Sequence, residues 1–235
     1  GSSLLQADRV VIVNYLAQKY GLDGNLTTDR FAPTDASYIA DMSGVGKEDD
    51  KVNDLNSAGF VVTENGNFDI GDYIFAAHDG TDNSVNTSPG VNDAIVEAAW
   101  ERNWYLEKSG DGDVDAKIAF DLGEGIDGDY PSNIENYRLL YKATPGGDYD
   151  TITSESHGIQ NGDQIYFAVT NANLSNGYYT LGTVDQTNSP LVGMPARTWY
   201  TLISGDWDLW ETWTLDPSGA LPNNPVEETP MDDRI

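Results

Sequence analysis

The sequence predicts a mainly β protein, an antiparallel β-sandwich of the jelly-roll or Ig-like type with one N-terminal α-helix and a Trp-rich C-terminal extension. Two observations carry this prediction. Apolar and polar residues alternate in short runs along much of the chain, and residues rich in Gly, Asn and Asp separate the runs. A strand that buries one face alternates in this way, and turn signals at roughly 8–20-residue spacing favour a sandwich.

The first element is a helix that we expect to run from Leu5 to Tyr20. Its apolar positions recur near the 3.6-residue period of an α-helix, at Leu5, Ile12, Tyr15, Leu16 and Tyr20. Gly21 follows and can adopt the left-handed conformation that ends a helix. Further valines at positions 10, 11 and 13 make the helix apolar on more than one face, so we expect it to pack between surfaces or against a neighbouring domain.

Strands are predicted at the runs 60–62, 68–75, 100–106, 114–120, 137–141, 165–169 and 178–181. Asn65 and Gly66 lie between the first two runs and predict a tight hairpin, because both residues tolerate the positive φ angles of that turn. The segment 93–101 has helical propensity, but we interpret it as leading into a strand.

Three regions follow from these patterns. Residues 1–22 form the helix, and residues 23–186 form the β-sandwich domain. Residues 187–235 are predicted to be a linker and a Trp-rich extension, because Pro and Gly interrupt the pattern between 187 and 197.

The charge excludes several classes of function. There are 39 Asp and Glu residues against 12 Lys and Arg, the net charge is −27, and there is no cysteine. Phosphate backbones and anionic lipid heads would repel this chain, so neither nucleic acid nor membrane insertion is predicted. Acidic, cysteine-free composition rich in Gly, Asn and Asp is typical of secreted bacterial domains, so we expect an extracellular or cell-surface location.

Particular segments resemble a known group of proteins. The segment LLQADRVVIVNYLAQKYGL is similar to the helix that closes a laminin-G or concanavalin-like sandwich in large multidomain surface proteins of bacteria that use type IX secretion. The segments GDYIFAAHDG, ERNWYLEKSGDGDVDAKIAFDL and GDQIYFAV resemble the β-domain that follows this helix. The resemblance covers roughly residues 5–184. It implies that residues 1–22 are the closing helix of a preceding module and that residues 187–235 begin a following module. It implies an adhesin-like surface protein whose partners are neighbouring domains of the same polypeptide, and it carries over no catalytic residue.

Calcium is the cofactor that the carboxylates suggest. Calcium prefers several oxygen ligands, and two acidic runs supply them within Gly-rich sequence. The candidate metal ligands are Asp111, Asp113, Asp115, Glu124, Asp127 and Asp129. The first run does not match an EF-hand, because Ala116 stands where that loop needs glycine. Its aspartates also alternate with apolar residues, so the solvent face of a strand is the alternative interpretation.

Three other kinds of site remain open. His78 is more readily explained as a turn histidine hydrogen-bonded to an adjacent carboxylate than as a catalytic group. Carboxylate pairs can support glycoside hydrolysis, but so acidic a chain contains such pairs by chance. Lys117 and Lys142 lie on predicted strands, where a lysine and an asparagine can join in an isopeptide bond, although the sequence indicates no pairing.

The tryptophans near the C-terminus are candidate ligand-binding residues. They are Trp199, Trp207, Trp210 and Trp213. Aromatic faces can stack on sugar rings, but the resemblance favours a role in joining the β-domain to the next module. The favoured function is a non-catalytic structural or adhesion module of a large extracellular bacterial surface protein. The alternatives are a carbohydrate-binding module of a secreted polysaccharide-active protein and, more weakly, a carboxylate-dependent glycoside hydrolase.

Overall fold

The computed structural model describes most of the chain. The described residues are 6–22, 29–33, 35–48, 51–55, 59–81, 83–110, 113–122, 133–161, 164–191, 200–204 and 212–214. Within them, none of the helices has the length and apolar character needed to cross a bilayer.

One α-helix and fifteen strands make up the regular structure of the described residues, together with two single-turn 3-10 helices, Ile134–Asn136 and Asn171–Asn173. The α-helix is α1, Gln6–Tyr20. The strands are β1 Ala40–Glu48, β2 Lys51–Leu55, β3 Phe60–Gly66, β4 Tyr73–His78, β5 Val85–Asn86, β6 Ala98–Trp100, β7 Trp104–Ser109, β8 Asp115–Asp121, β9 Tyr137–Lys142, β10 Asp150–Thr151, β11 Ser156–Gln160, β12 Gln164–Val169, β13 Gly177–Thr183, β14 Tyr200–Thr201 and β15 Trp213–Thr214.

The strands form two antiparallel sheets and one small ribbon. The larger sheet has the order β10-β9-β13-β7-β4-β1-β2, with β6 also pairing with β13 and β5 pairing with β6. The smaller sheet has the order β11-β12-β8-β3, and β14 pairs with β15. The prediction of an antiparallel β-sandwich with one N-terminal helix is confirmed.

Helix α1 ends as its sequence predicts. Gly21 has a φ of +62°, its N–H donates to the carbonyl of Gln18, and the N–H of Leu22 donates to the carbonyl of Ala17. This pair of hydrogen bonds is the Schellman motif, which satisfies carbonyls at the last turn. The helix packs on the outer face of the larger sheet, where buried Val10 and Val11 join the aromatic side chains of that face.

The main core lies between the two sheets. Inward-facing side chains of β3, β4, β7, β8, β9, β12 and β13 meet there. Trp104 is its centre: the ring stacks on Phe60 with centroids 5.1 Å apart and meets Phe120 and Trp100 at 5.7 and 6.2 Å. The alternation of β7 explains this arrangement, because Trp104 and Leu106 face inward while Tyr105 faces the helix layer.

Two glycines of β1 allow aromatic rings to lie flat on the outer face of the larger sheet. Gly44 is directly opposite Phe75 on β4, and Gly46 is directly opposite Tyr73. The two rings are parallel, with an interplanar angle of 1° and centroids 5.9 Å apart. A Cβ at Gly44 would lie 2.6 Å from the Phe75 ring, and one at Gly46 would overlap the Tyr73 ring. The face can therefore be this compact only with glycine at both positions.

The predicted hairpin at Asn65 and Gly66 is wrong. β3 pairs with β8 in the smaller sheet, whereas β4 pairs with β1 and β7 in the larger sheet. The chain does turn sharply here, because Gly66 and Asn67 both have positive φ, of 132° and 58°. It uses that turn to cross from one sheet to the other. Alternation and turn residues indicate a strand and a turn, but they do not indicate which partner a strand takes.

Residues 187–191, which are described, pack against the β-domain. Ser189 and Leu191 are buried, and the carbonyl of Pro190 accepts a hydrogen bond from the hydroxyl of Tyr137. The segment 93–101 contains β6, Ala98–Trp100, as its interpretation as strand-leading requires. The boundaries predicted at residues 22 and 186, and the assignment of residues 187–235 to a following module, stay predictions.

Candidate functional site

Three loops meet at one end of the sandwich and bring a set of polar side chains together. We call Asn67, Lys108, Asp113, Asp115 and Asn171 the Asn171 cluster. Asn67 follows β3, Lys108 belongs to β7, Asp113 precedes β8 and Asp115 begins it. Asn171 opens the 3-10 helix between β12 and β13. The cluster therefore joins a strand of the larger sheet to loops of the smaller sheet.

Asn171 makes three hydrogen bonds within this cluster. Its backbone N–H donates to Asp115 Oδ1 over 2.8 Å, and its side-chain Nδ2 donates to Asp113 Oδ1 over 2.7 Å. Lys108 Nζ donates to Asn171 Oδ1 over 2.7 Å. Asp115 Oδ2 also accepts from Asn67 Nδ2 over 2.6 Å. These hydrogen bonds fix the position and orientation of the Asn171 amide.

Lys108 is partly buried, and this changes its acid–base behaviour. Burial lowers the pKa of the Lys108 ammonium, and the negative charge of Asp113 partly opposes that effect. A lowered pKa means that the neutral, nucleophilic amine forms more readily than on an exposed lysine. Sequence reasoning missed Lys108 and Asn171, although Lys108 stands at an inward-facing position of an alternating strand.

The structure describes two of the six predicted calcium ligands. Asp113 and Asp115 lie in the Asn171 cluster, where they accept hydrogen bonds from amide groups. Asp111, Glu124, Asp127 and Asp129 lie outside the described residues. Within the described part of the chain, no three His, Asp or Glu side chains converge so as to hold a metal ion. The calcium site stays a prediction.

Carboxylates elsewhere in the described loops serve as hydrogen-bond acceptors. Asp93 accepts from both the backbone N–H and the hydroxyl of Thr151, over 2.9 and 2.8 Å. Asp185 accepts from the backbone N–H groups of Thr187 and Asn188 and from the Asn188 side chain. These hydrogen bonds lower the pKa of each carboxyl group. Such ionised groups stabilise turns, and none of them is poised to donate a proton at neutral pH.

Glu107 differs from these carboxyl groups because its pKa is raised and not lowered. It lies on β7 and is partly buried under the segment 29–33, where its Oε2 accepts from the backbone N–H of Ala32 over 2.8 Å. Burial raises the pKa of Glu107, and the charge of Asp29 adds to that effect. A raised pKa is one requirement of a general acid, so Glu107 is the described residue to substitute in a test of the hydrolase alternative.

His78 is buried at the end of β4 and is not a turn residue. Its Nε2 lies 2.9 Å from Asp41 Oδ2, its Nδ1 accepts from the backbone N–H of Gly80, and its ring meets Trp104 edge-on at 5.8 Å. The predicted carboxylate partner adjacent in sequence is therefore wrong. The partner is Asp41, which has a φ of +45° at an irregularity of β1 and thereby presents its carboxylate to His78.

We expect His78 to make the protein less stable as the pH falls below about 6.5. Burial lowers the pKa of His78 from its ordinary value of 6.5. Below pH 6.5 the unfolded chain therefore binds a proton that the folded chain does not, and protonation favours unfolding. Urea unfolding between about pH 7.5 and about pH 5.5 should show a smaller loss of stability in His78→Gln than in the wild type. Equal losses in the two proteins would contradict this assignment.

The predicted ligand-binding tryptophans lie almost wholly outside the described part of the chain. Trp199, Trp207 and Trp210 are not among the described residues, and Trp213 is described only as the backbone of β15, paired with Thr201. Their role in sugar binding stays a prediction. No protein-family model matches the chain, and no curated protein or solved structure shows significant similarity to it.

Proposed function

We propose that this chain is a non-catalytic structural or adhesion module of a large extracellular bacterial surface protein. The observation that carries the proposal is the use of its carboxylates. In the described loops, Asp93, Asp115 and Asp185 each accept at least two hydrogen bonds from neighbouring backbone or side-chain groups. An acidic chain that uses its charge to fix loops is suited to hold a shape in saline surroundings without disulfide bonds.

The outer side of α1 supports a place among neighbouring domains of the same polypeptide. Val13, Leu16 and Tyr20 recur at helical spacing and are 36%, 40% and 66% exposed, and Leu22 beyond the helix end is 55% exposed. The opposite side of the helix is buried against the larger sheet. An apolar row of this kind is a surface that another folded domain can bury.

Binding and hydrolysis of bacterial surface polysaccharides distinguish the proposal from its alternatives. We expect the wild-type chain to show neither retention on immobilised polysaccharides nor release of reducing ends. Retention that disappears in Trp207→Ala or Trp210→Ala would favour a carbohydrate-binding module instead. Release that disappears in Glu107→Gln would favour the hydrolase. Ile95→Ala serves as the control variant, because Ile95 is 86% exposed.

A further inference from the structure

Lys108 and Asn171 lie at the ends of two rows of inward-facing side chains, one on β7 of the larger sheet and one on β12 of the smaller sheet. On β7 the inward row is Trp104, Leu106 and then Lys108, and the first two belong to the main core. On β12 the inward row ends at Val169, and Asn171 follows two residues later. An amine from one sheet and an amide from the edge of the other thus meet at the rim of the core.

The contacts place three complementary groups together. Lys108 Nζ donates a 2.7 Å hydrogen bond to the amide oxygen of Asn171, so the nucleophile lies beside the amide whose Cγ it would attack. The amide nitrogen, which would be the leaving group, is 2.7 Å from a carboxylate oxygen of Asp113. The backbone hydrogen bond from Asn171 to Asp115 restrains the amide in this position. Proximity of this kind accelerates a reaction between two groups held side by side.

We propose that Lys108 and Asn171 form an intramolecular isopeptide bond with Asp113 as the proton carrier. Lys108 Nζ attacks Asn171 Cγ and forms the new C–N bond, and the Cγ–Nδ2 bond breaks. The lysine ammonium gives up two protons, which Asp113 transfers in turn to the departing nitrogen, so that nitrogen leaves as ammonium and Asp113 ends as it began. Nothing is oxidised or reduced, and no further reactant is consumed.

Other lysines on strands lack this arrangement in the described part of the chain. Lys142 Nζ lies 4.6 Å from the centre of the Tyr149 ring and donates to the carbonyl of Pro145. Lys117 Nζ lies 4.6 Å from the centre of the Tyr166 ring. Neither of the two amines contacts an asparagine in these interactions. The amine that meets an amide beside a carboxylate is Lys108, not the two lysines that the sequence suggested.

The bond would serve as the cross-link that a chain without cysteine cannot make from sulfur. It would close the chain between residues 108 and 171, which are 63 positions apart, and would join the larger sheet to the smaller one. The inference rests on the proposed structural role, but its test does not. A bond could be found in a module that also binds sugar, and its absence would leave the polysaccharide experiment unchanged.

The intact mass of the folded, full-length chain tests the proposal. We expect the wild type to be lighter than its sequence mass by one ammonia molecule. Lys108→Arg and Asp113→Ala should each have the full sequence mass, because the first lacks the nucleophile and the second lacks the proton carrier. Lys142→Arg is the matched control and should keep the mass loss. A wild-type chain of full sequence mass would overturn the proposal.

Peptide mapping identifies the atoms involved. Trypsin cuts after Arg102, Lys117, Lys142 and Arg197, and a modified Lys108 resists cleavage. The bond therefore predicts one branched product in which residues 103–117 are joined to residues 143–197. Asn161 and Asn176 each precede a glycine in the second peptide, and Asn65 precedes Gly66 elsewhere; such asparagines can lose ammonia by forming a succinimide. A mass loss that persists in Lys108→Arg, with the two peptides separate, would assign the loss to that reaction and overturn the proposal.

Discussion

Trp104→Ala is expected to remove about 3–5 kcal/mol from the free energy of unfolding. Trp104 is fully buried and contacts Phe60, Phe120 and Trp100, so its truncation leaves a cavity at the centre of the main core. A loss of this size is a large part of the stability of an ordinary domain. The thermal midpoint should fall by roughly 10 °C, and urea unfolding followed by circular dichroism gives the free energy directly.

Two companion variants make this result interpretable. Trp104→Phe keeps an aromatic ring in the same place, and the indole Nε1 makes no hydrogen bond to any described residue. We therefore expect Trp104→Phe to lose much less stability than Trp104→Ala. Ile95→Ala changes an exposed side chain and should stay within about 0.5 kcal/mol of the wild type. Similar losses in Trp104→Ala and Ile95→Ala would show that Trp104 is not the centre of the core.

Gly46→Ala is expected to cost about 2–3 kcal/mol, although alanine usually favours folding relative to glycine. A Cβ at Gly46 would overlap the ring of Tyr73. That ring cannot easily move away, because it is fully buried, is parallel to Phe75, and donates its hydroxyl hydrogen bond to Glu48 over 2.8 Å. The substitution should therefore force β1 and β4 apart or displace the ring.

Gly146→Ala is the matched control for this prediction. No atom lies within 4 Å of a Cβ built at Gly146, and its φ is outside the left-handed region. We expect Gly146→Ala to be neutral or slightly stabilising. Chemical unfolding of the two variants side by side measures the difference. Equal stability of Gly46→Ala and Gly146→Ala would mean that the Tyr73 ring reorients without cost.

Local patterns predicted the local structure well. The period of α1 and the glycine after it place the helix and its end, since both depend on residues within one turn of each other. Alternation in runs such as 114–120 and 165–169 predicts β8 and β12, because a strand that buries one face needs a period of two. These features follow from short-range geometry, which the sequence expresses directly.

Pairing over long distances was not predictable in the same way. The turn at Asn65 and Gly66 is equally compatible with a hairpin and with a crossing between sheets, and only packing of the whole core decides between them. Lys108 and Asn171 are 63 residues apart, so no spacing rule connects them. A partial signal existed, because Lys108 continues the inward-facing positions of Trp104 and Leu106. A charged residue in such a row implies a partner, but alternation does not identify it.

The position of β13 affects how the chain can fold during its synthesis. β13 lies between β9 and β7, so it is the strand through which β9 and β10 join the rest of the larger sheet. Until Gly177–Thr183 has been synthesised, the nascent chain contains β7 and β9 without the strand that lies between them. Their unpaired edges are then open to other chains. The larger sheet is therefore complete only after β13 has been synthesised, and until then these edges are a site of possible mispairing between chains.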